Sequence, residues 1–373
     1  MKFLRLAFYV LIAQLVLSGC AGEAVEETSS SSASEINFDA YVGRNASTRL
    51  GINDLDSLKS NNRWNSGFGV FARYNNIHLM DDEHVFWQGD HWGYEHTRYW
   101  PSEGSVDFYA FAPWIPERKL ENKPGSNEPG SNEPPTYLDF PSTLSPVDLL
   151  WAKAENQTKD NISSTNGKVK FQFKHATARL GLDITANKKL EKNGAVITVE
   201  EVNLFGHGKD DYVGVFDMEG FLNLKKGEWY VVPNKDTRWY YAWTPTGKVG
   251  KDDDEKYDPS KGTVLKLSAS QLDHTNNIIT NDANSYIFIV PQTKNEPFYL
   301  KITYTVKQGD LVEKVTVRKN LLDVLQPGVS NPSFTFVGGK AYVFHLKLLD
   351  PINFSVTADV KDWNVGKDET ISL

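Results

Sequence analysis

The sequence predicts an all-β protein built from one or two β-sandwiches, and the number of strands favours two. Apolar and polar residues alternate with a period of two along much of the chain, whereas helical periodicity is rarely sustained. Aromatic residues make up 12% of the chain, and such rings pack well on a pleated, half-buried surface. A length of 373 residues is sufficient for two domains of ordinary size.

The clearest predicted strands lie towards the two ends of the chain. The segment 36–42 carries apolar residues at every second position. The segment 298–306 alternates in the same way and is followed by the turn residues Gln308-Gly309-Asp310 and a return strand through Val315 and Val317. This second pattern predicts a hairpin with a short loop.

A change of side-chain parity occurs in the middle of the chain. Val169, Phe171 and Phe173 share one face of a strand, but the apolar residues between Ala176 and Ile184 have the opposite parity. A single strand buries both sets on one face only if it contains an extra residue. We therefore expect a β-bulge near His175, and we interpret His175 as a hydrogen-bonded structural residue.

The N-terminus has the pattern of an export signal. Positive charges at Lys2 and Arg5 precede a short apolar run, and small residues lead to Cys20. The ending Leu17-Ser18-Gly19-Cys20 resembles the lipobox of bacterial lipoproteins, so we expect residues 1–19 to be removed and Cys20 to carry lipid, including palmitate. The alternative is a buried cysteine after an ordinary signal peptide. Residues 20–35 are polar and small, which predicts a disordered tether.

Composition also limits the classes of function. The net charge of −8 without a basic patch argues against a nucleic-acid partner. Since no nucleophile elbow, phosphate loop or dinucleotide fingerprint is present, we expect no catalytic residues, no cofactor and no enzyme activity. Histidines and carboxylates concentrate between His78 and His96, but their spacing matches neither a helical histidine pair nor a calcium loop. We expect a solvated polar loop there and no metal site.

A group of aromatic side chains between residues 87 and 114 allows two interpretations. In an all-β domain such rings usually fill the core, whereas a solvent-facing cluster would form a carbohydrate platform. The group consists of Trp87, Trp92, Tyr94, Tyr99, Trp100, Tyr109 and Trp114.

The two end strands suggest assembly. Arg44 and Arg49 follow the first strand in a polar stretch, where an exposed loop would be open to proteolysis. At the other end the segment 352–373 begins with strict alternation, which is equally consistent with a strand in its own sheet and with a strand that completes a neighbour's sheet. Its apolar positions are Ile352, Phe354, Val356, Ala358 and Val360.

Several short motifs, in their order and spacing, resemble the fimbrillins of Bacteroidota, which are subunits of type V pili. The motifs are Phe71-Ala72-Arg73-Tyr74, Arg98-Tyr99-Trp100-Pro101, the segment 106–113, Asp148-Leu149-Leu150-Trp151-Ala152, Phe173-Lys174-His175-Ala176, Ile289-Val290-Pro291-Gln292-Thr293 and Val360-Lys361-Asp362-Trp363.

The resemblance implies two tandem transthyretin-like β-sandwich domains. Because glycines cluster between about residues 205 and 245, we place the domains at 36–220 and 221–373. The resemblance further implies a lipoprotein precursor that passes through the periplasm to the outer-membrane surface and is cut there by an arginine-specific protease. Arg49 is the first candidate site and Arg44 the second. The C-terminal strands of one subunit, here 352–373, then fill the groove of the next subunit in a homopolymer.

Three functional hypotheses follow from these observations. The leading one is a stalk subunit of an adhesive pilus. The alternatives are a monomeric surface lipoprotein that binds glycans or host ligands, and an anchor subunit of the pilus.

Overall fold

The structure is a computed structural model that describes part of the chain. Residues 35–373 form one compact unit and residues 1–34 a second, of which Ser34 alone is described. Cys20, Arg44, Arg49 and Ile352 lie outside the described residues. The described residues are 34–42, 55–60, 67–75, 77–124, 135–141, 147–186, 196–206, 214–233, 238, 240–245, 267–272, 278–282, 286–350, 353–362 and 370–372.

Strands dominate the described residues, which confirms the predicted all-β class. Two short α-helices are α1 (Leu55–Ser60) and α2 (Leu321–Leu325), and a 3-10 helix covers Asn161–Thr165. In the first half of the chain the strands are β1 (Phe38–Val42), β2 (Phe68–Tyr74), β3 (Ile77–Trp87), β4 (Trp92–Gly93), β5 (Val106–Ala112), β6 (Leu120–Glu121), β7 (Tyr137–Phe140), β8 (Leu150–Gln157), β9 (Val169–His175) and β10 (Ala178–Ala186). In the second half they are β11 (Val196–Gly206), β12 (Gly220–Asn223), β13 (Glu228–Val231), β14 (Tyr240–Pro245), β15 (Leu267–Leu272), β16 (Ile278–Asp282), β17 (Tyr286–Ile289), β18 (Gln292–Lys294), β19 (Phe298–Gln308), β20 (Leu311–Asn320), β21 (Phe334–Phe336), β22 (Lys340–Asp350), β23 (Asn353–Asp362) and β24 (Thr370–Ser372).

The N-terminal strands close into a barrel in the order β1-β4-β3-β2-β5-β8-β9. Its interior is filled largely by aromatic and branched side chains, with Phe68, Phe108 and Phe171 fully buried. On the outside of the barrel, Phe71, Tyr109 and Phe111 pack against the four-stranded sheet β13-β12-β7-β6 in a separate cluster.

Two further sheets, which contain β10 and strands from the second half of the chain, share the largest hydrophobic cluster, as in a β-sandwich. We call this cluster the C-terminal core. One sheet has the order β17-β10-β22-β23-β24 and the other has the order β16-β15-β14-β11-β19-β20. The hairpin predicted from the alternating segment 298–306 is confirmed, because β19 and β20 pair antiparallel from Tyr299↔Asn320 to Gln308↔Leu311.

The predicted bulge near His175 is wrong. Strand β9 ends at His175, and a separate strand, β10, begins at Ala178 in another sheet. The side chains of Val169 and Phe173 enter the barrel core, whereas Ala178 and the following apolar residues enter the C-terminal core. The parity change therefore marks a transfer of the chain from one core to the other.

His175 itself is confirmed as a hydrogen-bonded structural residue. Its Nδ1 atom lies 2.7 Å from the Oδ1 atom of Asp148, and both side chains are buried. The backbone N–H of the next residue, Ala176, donates to the carbonyl oxygen of Leu149 at 2.7 Å. These two bonds hold the end of β9 where the chain leaves the barrel.

The assignment of two tandem transthyretin-like domains that divide at residue 220 stays a prediction. The described strands of the N-terminal core form one closed ring, and residue 220, the predicted domain boundary, lies within β12. Among the described residues no helix has the length and apolar character needed to cross a membrane.

Gly67, just before β2, lies where the backbone packs too closely to admit a side chain. Its φ is +82°, and a Cβ atom there would lie 2.0 Å from the carbonyl oxygen of Val85. We expect Gly67→Ala to lower the free energy of unfolding by about 2 to 4 kcal/mol, since both the backbone conformation and the contact oppose a side chain. Gly309→Ala is the matched control, because Gly309 also has a positive φ but open space around it. This control should lower the free energy of unfolding, measured in urea, by about 1 kcal/mol. Equal losses in the two variants would contradict a steric clash at Gly67.

Candidate functional site

The first strand supplies part of the barrel core. Ile36, Phe38, Ala40 and Val42 have exposed fractions between 1% and 4%, whereas Tyr41 is 44% exposed. The alternation predicted for the segment 36–42 is thus confirmed: β1 buries Phe38, Ala40 and Val42, and Ile36 is buried just before it.

Strand β1 is the connection that closes the barrel. It pairs in parallel with β9 over five residues, from Phe38↔Val169 to Val42↔Phe173. On its other side the ladder is short and consists of Phe38↔Trp92. The backbone N–H of Ile36 donates to the carbonyl oxygen of Arg98 at 2.8 Å, and the carbonyl oxygen of Ile36 accepts from the Tyr94 hydroxyl at 2.7 Å.

Phe38 is the main anchor of this strand. Four aromatic rings surround it, and we call them the ring cage: Tyr94 at 5.5 Å, Phe171 at 5.7 Å, Phe108 at 5.9 Å and Phe68 at 6.4 Å between centroids. These separations are those of favourable aromatic pairs. Loss of Phe38 would leave a ring-sized void, since three of the four rings, Phe68, Phe108 and Phe171, are fully buried.

The helix α1 lies beside β1. Leu58 of α1 is fully buried in the barrel core, and its carbonyl oxygen accepts from the backbone N–H of Gly67 at 3.0 Å. The ammonium group of Lys59 lies 3.6 Å from the ring centroid of Trp87. The chain between β1 and α1 contains both candidate cleavage residues, Arg44 and Arg49, and lies outside the described residues.

The tryptophan-rich segment belongs mainly to the core. Trp92, Trp100 and Tyr109 are buried, and Trp87, Tyr94 and Trp114 are half-buried. Tyr99 is the exception, with 48% of its surface exposed. A solvent-facing platform of these rings, as a carbohydrate site would require, is not what this part of the structure contains.

The first part of the polar stretch, His78 to His84, forms a strand, so the predicted solvated loop is wrong there, whereas His91 and His96 lie in exposed segments outside the strands. His78 to His84 belong to β3, which pairs with β2. The histidines have separate partners: His78 lies 2.9 Å from Asp81, and His96 lies 3.3 Å from Glu83. In the described part of the chain, no cluster of histidine, cysteine and carboxylate side chains has the arrangement of a metal site.

Asp82 belongs to the stretch for which the sequence predicted a solvated loop, and its burial was not predicted. It has a φ of +49° at an irregularity of the β2–β3 ladder. Its carboxylate accepts from the Trp114 indole N–H at 3.0 Å and from the backbone N–H of Arg118 at 2.8 Å, and the His84 ring stacks on Trp114. Burial raises the pKa of Asp82 to about 7, although the bond from Arg118 acts in the opposite direction.

The predicted donor strand lies in its own sheet in this structure. Strand β23 pairs antiparallel with β22 along its length, and Phe354, Val356 and Ala358 are buried in the C-terminal core. On its other side it pairs with β24 through Asp359, Val360 and Lys361. The alternation predicted from the sequence is therefore confirmed for Phe354 to Val360, and Val360 is half-buried.

Comparison with known proteins identifies the family. The sequence profile described as fimbrillin-like matches residues 58–363. This chain belongs to the fimbrillin-like family. The fimbrium subunit Fim1C of Phocaeicola vulgatus is 23% identical over an alignment of 398 positions, which covers 98% of this chain and 98% of that subunit. A crystal structure of a fimbrial protein from Bacteroides vulgatus is 15% identical, covers 88% of this chain and 99% of that chain, and has a TM-score of 0.51.

The structural likeness shows a shared fold between this fimbrillin-like chain and the Bacteroides vulgatus fimbrial protein. The family is one of fimbrial structural subunits and not one of enzymes. Fimbrial subunits act at the cell surface, which agrees with the predicted destination of the chain.

The ring cage generates a stability prediction. We expect Phe38→Ala to lower the free energy of unfolding of the barrel by roughly 3 to 5 kcal/mol, because the cage closes incompletely over the void. Tyr41→Ala, on the exposed face of the same strand, should change it by about 0.5 kcal/mol or less. Denaturant unfolding followed by tryptophan fluorescence would measure both. Comparable losses in the two variants would mean that β1 contributes little through its inward face.

Asp82 generates a pH prediction. Its pKa in the folded state, about 7, exceeds the ordinary value of 3.8, so the unfolded chain binds fewer protons between these values. The contribution of Asp82 to stability therefore falls as the pH rises through this window, by on the order of 1 to 3 kcal/mol. Asp82→Asn should remove this part of the pH dependence, whereas Asp310→Asn, at the exposed tip of the β19–β20 hairpin, should retain it. Unfolding measured from about pH 4 to about pH 8 tests the difference; an unchanged profile in Asp82→Asn would contradict it.

Proposed function

We propose that this chain is a stalk subunit of a cell-surface fimbria of the type V pilus kind and supports adhesion. In this proposal residues 1–19 are a signal peptide and the lipoprotein, acylated at Cys20, reaches the outer membrane through the periplasm. An arginine-specific protease cuts after Arg49, or after Arg44, and subunits then polymerise by donor-strand exchange. The two tandem transthyretin-like domains with a division near residue 220 belong to the same proposal.

The observation that carries the proposal is the position of β1. The segment 36–42 contributes four buried side chains to the barrel, and β1 is joined to the following helix through residues 43–54, which contain both arginines. A cut in that segment would leave β1 bound to the rest of the barrel by non-covalent contacts alone. A strand with these connections is removable without a change in the remaining covalent structure.

Removal of β1 would create a groove, which we call the β1 groove, between β4 and β9. Its floor would be the barrel core, and the backbone of β9 would lose its partner over five residues. Ile36, Phe38 and Val42 each stabilise the barrel through burial by about 1.5 to 3 kcal/mol before entropy costs. An apolar groove with unpaired strand edges binds an extended segment through ladder hydrogen bonds and alternate side-chain pockets.

The segment 352–373 is the proposed guest. Strand β23 has the required alternation, and three of its apolar side chains are already buried in a comparable core. In the structure it is paired with β22, which corresponds to an unexchanged subunit in the proposal. Exchange would move this strand from its own sheet to the β1 groove of the next subunit.

The alternative of a monomeric lipoprotein that binds glycans or host ligands has less support. It requires the tryptophans between residues 87 and 114 to face solvent, and Trp92 and Trp100 are buried instead. The anchor alternative is disfavoured by the arginines after β1, since a cleaved first strand is needed in a subunit that accepts a neighbour.

The experiment uses soluble protein that begins after Cys20, treated with an arginine-specific protease. We expect cleavage between β1 and α1, a ladder of detergent-resistant oligomers on an unheated denaturing gel, and filaments in electron micrographs. The matched control is Arg44→Lys combined with Arg49→Lys, which preserves charge but removes both cleavage residues. It should remain monomeric.

Deletion of the segment 352–373 is a poor control because Phe354 is fully buried in the C-terminal core of the same subunit. Efficient cleavage that yields monomers alone would overturn strand exchange and favour the monomeric or anchor alternative. Filaments in the uncleavable variant would overturn the role of the protease.

A further inference from the structure

The first strand and the proposed guest strand begin with the same tripeptide, Ile-Asn-Phe. Ile36-Asn37-Phe38 begins the first strand, and Ile352-Asn353-Phe354 begins the C-terminal segment. The next two positions of the same parity are alanine and valine in the first strand, Ala40 and Val42. In the C-terminal segment they are valine and alanine, Val356 and Ala358. The two segments therefore carry the same four apolar side chains, with the last two in exchanged order.

These matching positions are also equivalent in burial. Phe38, Ala40 and Val42 face the barrel core, and Phe354, Val356 and Ala358 face the C-terminal core. The intervening positions are polar or exposed in both strands, as shown by Tyr41 and Thr357. Each strand is thus a one-sided apolar strip of the same composition.

We infer that the guest strand of a second copy enters the β1 groove parallel to β9, with Phe354 in the position of Phe38. This inference rests on the proposed strand exchange and specifies its direction and register. Because Phe38 pairs with Val169, the guest would place Phe354 opposite Val169, Ser355 opposite Lys170 and Val356 opposite Phe171.

The ring cage selects this register. A shift of two residues would place Val356 in the cage, and four aromatic rings would then surround a side chain much smaller than phenylalanine. In the inferred register the cage holds a phenylalanine ring, and the exchange of valine and alanine at the last two positions conserves total volume. Volume-conserving exchanges are the ones that cores tolerate best.

The polar groups of the groove fit the same register. The carbonyl oxygen of Arg98 and the hydroxyl of Tyr94 bond to the backbone of Ile36, two residues before the anchor. The guest has Ile352 at this position, so its backbone N–H and carbonyl would meet the same two groups. A guest in the opposite direction would present its side chains to the cage in reverse order.

Barrel closure favours transfer of the strand out of its own sheet. Loss of β1 opens the barrel and leaves β9 and β4 without their shared neighbour. Loss of β23 separates the short β24 from its sheet and leaves β22 as the edge. A guest in the β1 groove restores a closed ring, whereas a strand retained in its own sheet leaves the ring open.

The test is a disulfide that reports the register. Once residues 1–20 are removed the chain contains no cysteine, so thiols are introduced in pairs: Lys170→Cys with Ser355→Cys, and Lys170→Cys with Thr357→Cys as the matched control for a shift of two residues. Lys170 and Thr357 are exposed and Ser355 is half-buried, so each variant should fold. Each protein is cut with the arginine-specific protease, oxidised and run heated on a non-reducing denaturing gel.

We expect the variant with cysteines at 170 and 355 to give a ladder of disulfide-linked oligomers that disappears on reduction. The variant with cysteines at 170 and 357 should give no ladder. Each single-cysteine variant should form a dimer at most. Filaments that contain the linkage between 170 and 357 would overturn the register, and filaments that contain neither linkage would overturn the inferred arrangement of the guest strand; in both cases strand exchange stands. If the cut protein without added cysteines forms no filaments, the proposed function itself fails.

Discussion

Closure of the N-terminal barrel by β1 is the constraint on which the rest of the molecule's architecture depends. The strand joins β9 to β4 and fills the ring cage with Phe38, so the barrel has a complete hydrogen-bonded ring and a solid core at the same time. Its ladder with β9 is parallel, whereas β2, β3, β5 and β8 pair antiparallel with their neighbours. Within this ring β1 therefore differs from its antiparallel neighbours in the direction of its main ladder.

Local alternation in the sequence identified several strands but not the cores that they serve. The hairpin of β19 and β20, the first strand and β23 were all predictable, because each buries one face and the period of two is visible within a few residues. The parity change after Phe173 was also visible, but its cause was not. A bulge and a transfer between two cores produce the same pattern, and the two differ only in which distant side chains are in contact.

The parts of the candidate site that could not be predicted depend on contacts between distant segments. The residues from Asp81 to His84 are all polar, so nothing in their pattern indicates a strand, yet they belong to β3, which pairs with β2. The raised pKa of Asp82 results from burial by distant parts of the chain, and the bonds from Trp114 and Arg118 oppose it. The ring cage likewise assembles from four segments, and alternation at Phe38 indicates burial without indicating what surrounds it.

The covalent connection between β1 and the barrel has a consequence for timing. While the segment 43–54 is intact, β1 competes for its own groove as part of the same molecule, with an effective concentration in the millimolar range. A free strand from another molecule, present at far lower concentration, is excluded even if it binds the groove equally well. A single cut converts this internal competitor into a ligand that diffuses away after it dissociates. In the proposed assembly, folding requires the strand and association requires its loss, so that one peptide bond separates the two events.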